Sequence, residues 1–212
     1  MRKATRIVAS TLGILAGIAG LEHGYFEILQ GNTRPLTLMF PSMGFPCIPE
    51  KIWHACEPAM TILPNFLVTG ILAVMLSLLV SVWSAAFVQR KYGGSLLIVF
   101  SVILLLFGGG FFPPLIGIVG GIAGIKINQP LPGKPAGKFI RFVAALWPWP
   151  LVILVAWLLG QYPIGFINND FLKSIIGLGL LLIVVMLPLS AYTAYAKDIH
   201  VPQKGDLYGT NR

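Results

Sequence analysis

The chain has 212 residues, 56% hydrophobic and 10% charged, against roughly 45–50% and 25% in an ordinary soluble domain. That excludes a water-soluble globular enzyme, because too little polar surface exists to coat so much apolar material, and it excludes disordered and disulfide-dense classes too. Fifteen Lys and Arg against seven Asp and Glu give a net charge of +8; in a chain of mean hydropathy +0.83, with the positive residues between apolar runs, the excess reads as cytoplasmic loops and anionic-lipid contact, and no nucleic-acid partner is expected.

Crossing about 30 Å of hydrocarbon takes roughly 20 apolar residues. The first run, 7–29, contains Glu22, His23 and Glu27 in its second half. Its start resembles a signal peptide, but the apolar pattern continues through Tyr25, Phe26, Ile28 and Leu29, so an uncleaved first span is expected. An outer loop, about 30–57, carries Pro35, Pro41, Pro46 and Pro49 among Phe40, Phe45 and Trp53. It is too apolar for a solvated loop and reads as a segment lying on the outer leaflet or capping a cavity. The second span is read at 62–88, with Pro58 as a first-turn residue. The third run, 95–125, holds three glycines and two prolines from Gly108 to Pro114. These break a helix and predict a hairpin of two short helices, about 95–107 and 114–126. An interfacial piece at 138–147 is set off by Pro148 and Pro150 from a span ending near 166, and a last span covers 171–195.

Positive charge chooses the topology. With six segments and a cytoplasmic N-terminus, twelve of the fifteen Lys and Arg lie inside; with five, only six do. The expectation is therefore an all-α, polytopic transmembrane bundle of six segments with both termini cytoplasmic. Residues 1–197 would form one bundle domain and 198–212 a cytoplasmic tail, in a prokaryotic plasma membrane.

Ionisable groups inside a span cost roughly 2.5–3.5 kcal/mol each on insertion scales, so Glu22, His23 and Glu27 are the first candidates for chemistry. His23 and Glu27 are four apart and share a helix face. His54 and Glu57, with Asn65 after Pro64, form a second polar group near the same membrane face. Three readings stay open: an ion or proton pathway through the carboxylates, a polar clamp between helices, and a divalent-metal site on His23, Glu27, His54 and Glu57. Cys47 and Cys56 could form a disulfide on an oxidising outer face, or pack as two thiols. Gly13-x3-Gly17, Gly117-x3-Gly121 and Gly120-x3-Gly124 permit close helix approach. No phosphate-binding glycine loop, nucleophile elbow, zinc-protease helix or haem-attachment motif occurs, so the balance leans away from an enzyme.

The stretches Glu22-His23-Gly24-Tyr25-Phe26-Glu27-Ile28-Leu29-Gln30-Gly31-Asn32 and Glu57-Pro58-Ala59-Met60-Thr61-Ile62-Leu63-Pro64-Asn65 resemble a family of small prokaryotic multi-pass membrane proteins with no assigned activity. That resemblance implies no catalytic residue and no cofactor. The expected function is a small transport or channel-like protein with the span-1 cluster lining a path. The alternatives are a non-catalytic subunit, in a homo-oligomer or larger membrane complex, and a metal-dependent membrane enzyme.

Overall fold

Residues 2–41, 58–130 and 137–200 are described by the computed structural model. The first helix, α1 (Lys3–Leu29), is the centre of the bundle. It has no proline, and its glycines at 13, 17, 20 and 24 fall on one side. A glycine costs about 1 kcal/mol in a helix interior, which here is offset by close approach of a neighbour. That neighbour is α2 (Phe66–Ala86), running antiparallel to α1. A Cβ at Gly13 would overlap the Ser84 hydroxyl; at Gly17 it would lie 2.6 Å from the Ser77 carbonyl, and at Gly24 2.9 Å from that of Gly70. Gly17→Ala should therefore force the pair apart, at about 1–3 kcal/mol. A clear drop in melting temperature in detergent is the expected reading, and an unchanged value would argue against so tight a seam.

The broken apolar run is a helical hairpin, as its glycines and prolines imply. α3 (Gly93–Leu106) and α4 (Phe112–Lys126) are joined by residues 107–111, with prolines in the first turn of α4. Their seam is again small: a Cβ at Gly121 would lie 2.8 Å from the Gly94 carbonyl, and one at Gly117 would overlap the Ser101 hydroxyl. Gly120 packs α4 on α1, against Leu12 and the Ala9 carbonyl. The arms have 14 and 15 residues, about 21–23 Å of helix each. Even so, the hairpin lies beside nearly all of α1. Ile127 accepts a bond from the Arg2 amide at one end, and Gly108 rests against Glu27 at the other.

A short antiparallel ribbon covers the hairpin tip. β1 (Met39–Pro41) pairs with β2 (Pro58–Met60) in the register Met39↔Met60, Phe40↔Ala59, Pro41↔Pro58. The Gly108 amide donates to the Met60 carbonyl at 2.8 Å, and Thr61 bridges to Phe107. This corrects the expected start of the second span. Pro58 opens a strand instead of a helix, and α2 begins at Phe66, because the ribbon and tip engage 58–62 and Pro64 delays helix entry.

The remaining helices pack on one flank. α5 (Lys138–Ala145) precedes α6 (Trp149–Ile167), which turns at Asn168 into α7 (Asn169–His200). The Asn168 side chain accepts from the Phe171 amide, capping the last helix. α7 continues past the expected boundary of a tail at 198. Asp198 accepts bonds from the Ala4 and Thr5 amides at 3.0 and 2.7 Å and from the Thr5 hydroxyl at 2.7 Å. A residue of the last helix thus caps the first, where negative charge is favourable. Four segments are long and apolar enough to cross a membrane: Lys3–Leu29, Phe66–Ala86, Lys138–Ile167 and Asn169–His200; α3 and α4 are shorter apolar helices.

Candidate functional site

The two features that stand out in the sequence, the ionisable groups of span 1 and the glycine-rich break, meet in space. His23 and Glu27 sit one turn apart on α1 and face the hairpin tip, while Gly20 and Gly24 face α2. Two tip glycines, Gly108 and Gly110, have φ of +84° and +77°, a region that L side chains enter only at a cost. A Cβ on Gly110 would overlap the imidazole of His23, and one on Gly108 would lie 2.5 Å from Glu27 Oε1. The tip backbone therefore rests directly on both side chains.

That contact encloses them. His23 is 2% exposed and Glu27 is 0% exposed. Among the described residues, neither Glu27 oxygen has a hydrogen-bond partner. Buried polar groups are bonded in the great majority of cases, and leaving one unmade costs about 1–3 kcal/mol. An enclosed carboxyl beneath the hairpin tip, unbonded among the described residues, is thus maintained against its own energetics.

Glu22, one position round the helix, points elsewhere. It is half-buried and accepts a 2.6 Å bond from the Tyr162 hydroxyl of α6. Beside it lies a cleft of about 280 Å³ between α1, α4, α6 and α7. Glu22, His23, Phe112, Trp157, Gln161 and Tyr162 line it, with Pro58 of β2 and aliphatic side chains of all four helices completing the walls. His23 belongs to both places: it lines the cleft and lies under the tip, one turn from Glu27. The order along α1 is an open carboxylate, an imidazole, then an enclosed carboxyl.

Asn65 does not join this cluster. Its side-chain oxygen accepts from the Val68 amide at 3.0 Å, as an N-cap of α2, and its amide donates to Asn32. His54 and Glu57, and both Cys47 and Cys56, lie outside the described residues. Among the described residues, no three His, Cys, Asp or Glu side chains come close enough to hold a metal ion. Tyr162, Gln161, Gly108 and Gly110 were not expected at the site. The glycines signalled only a helix break, and nothing local ties Tyr162 to Glu22, 140 positions away.

No family model matches the chain, and neither a curated protein nor a solved structure is similar to it.

Proposed function

We propose that the chain is a small transport or channel-like membrane protein in which Glu27 takes up and releases a proton, reached from the cleft by way of Glu22 and His23. The observation that carries this reading is the enclosed, unpartnered Glu27 carboxyl beneath Gly108. Ionisable groups in membrane segments usually pair with one another or mark ion and proton routes, and Glu27 has no such partner among the described residues. Broken helices that place backbone against a binding group are a recurring device in transporters. A proton suits the site, since among the described residues no three His, Cys, Asp or Glu side chains gather to hold a metal ion.

The topology that accompanies the proposal has six membrane segments, both termini cytoplasmic, in a prokaryotic plasma membrane. The lysine and arginine distribution supports it. So does the reach of the hairpin from the Arg2 end of α1 to Glu27.

The test is flux. Purified protein in liposomes should dissipate an imposed pH gradient, read by an internal dye, and Glu27→Gln should abolish that flux while the protein still folds. The Tyr162–Glu22 bond between α6 and α1 favours a second reading, a non-catalytic subunit whose polar groups only clamp helices. Under it, wild type shows no flux above protein-free liposomes and Glu27→Gln changes nothing.

A further inference from the structure

The cleft carries chemistry that proton movement alone does not use. Its walls are mainly apolar and aromatic, with rings from Phe112, Trp157 and Tyr162. Its polar groups are the Glu22 carboxylate, the His23 imidazole, the Gln161 amide and the Tyr162 hydroxyl, of which only Glu22 is an acidic group. Glu22 already receives the Tyr162 hydroxyl proton, which leaves its second carboxylate oxygen to accept again. The Gln161 amide nitrogen donates one of its two protons to the Leu158 carbonyl at 3.2 Å, which leaves the amide oxygen and one N–H for a ligand. Among the described residues no lysine or arginine is paired with Glu22, and Lys173, one turn before the lining residue Ile176 of α7, is not part of the wall.

A half-buried carboxylate, an amide oxygen and aromatic rings around an apolar cleft define one kind of ligand: a cation with an apolar body. The carboxylate supplies opposite charge, the rings supply cation–π attraction, and the aliphatic walls bury the rest. An anion would meet Glu22 with like charge, and a neutral hydrocarbon would leave the Glu22 charge in the cleft without an opposite charge beside it. We infer that this cleft binds a lipophilic ammonium cation, its charged head at Glu22 and its apolar body between α4, α6 and α7. A size of about 280 Å³ fits one ring or a short chain, not a two-tailed phospholipid. The cleft also adjoins His23, so an occupant would sit next to the proton route. The inference rests on the transport reading for its purpose, since it names the substrate class of the same site.

Binding is measurable without any gradient, so the two ideas fail separately. Equilibrium dialysis of labelled benzyltrimethylammonium against the protein in phosphatidylcholine nanodiscs should show saturable binding to one site. Glu22→Gln should weaken it by roughly tenfold or more, the scale of losing a partly buried charge pair. Ala19→Phe, which keeps every charge and fills the cleft from α1, should abolish it; this second variant decides the matter if Glu22→Gln does not fold. Neopentylbenzene, the neutral isostere of the probe, should fail to displace it. Absence of saturable binding to wild type, undiminished binding by either variant, or displacement by the neutral isostere would overturn the inference. Flux lost in Glu27→Gln without ammonium binding would leave the proton reading standing alone.

Discussion

Gly108→Ala is expected to destabilise the protein by about 2–5 kcal/mol, the larger share coming from one contact. Two costs add. Placing an L side chain at φ +84° costs roughly 1–2 kcal/mol. Forcing a methyl group into the Glu27 carboxylate, where the built Cβ lies 2.5 Å from Oε1, costs about 1–3 kcal/mol more. The chain contains its own control. Gly31 also has positive φ, +70°, but a Cβ there meets nothing within 4 Å. Gly31→Ala should therefore show the backbone cost alone. The difference between the two melting shifts in one detergent measures the steric part. A cycle with Glu27→Ala should recover that part only, because removing the carboxyl clears the space but leaves φ unchanged. Equal shifts for Gly31→Ala and Gly108→Ala would mean that the tip does not press on Glu27.

Glu27→Met should do the reverse, raising stability while removing function. The wild-type side chain buries two oxygens that have no partner among the described residues, which costs about 1–3 kcal/mol. Methionine is flexible, of similar length and free of strong polar groups, so it suits the same enclosure. A gain of about 1 kcal/mol or more in unfolding free energy, with proton flux lost, is the expected pair of results. A residue kept for packing would behave in the opposite way, since its replacement would lower stability. A lower melting temperature with flux intact would reject the assignment of Glu27.

The sequence makes some of this legible and hides the rest for physical reasons. Spans, the hairpin break and the α5–α6 division follow from local chemistry: runs of apolar residues, and prolines and glycines that end helices. The pairing of His23 with Glu27 follows from helix period. Which face of α1 they share with a neighbour does not. In a membrane, lipid-facing and core-facing sides are both apolar, so the amphipathic period that orients a soluble helix is weak. Only small residues betray the seams: the Gly13-x3-Gly17 spacing permits a close approach without naming the neighbour, and the structure supplies α2. Gly108 and Gly110 could be read as helix breakers but not as the surface against Glu27 and His23, because that role depends on where α4 places the tip. Tyr162 becomes a partner of Glu22 only through the packing of α6 and α7 on the core. Asn65, grouped with the acidic residues by proximity in sequence, caps α2 instead, a local role consistent with its place just before the helix.

The Asp198 cap on α1 sets a timetable. The bond from the Thr5 amide to Asp198 joins residues 193 positions apart. At about 5–20 residues per second, the ribosome needs roughly 10–40 s between making the two. During that interval α1 has been synthesised, yet its first amides still lack the carboxylate that caps them. The central helix therefore waits for the far end of α7 before this cap can form. An arrest of translation short of residue 198 would leave the central helix with its N-terminal amides uncapped.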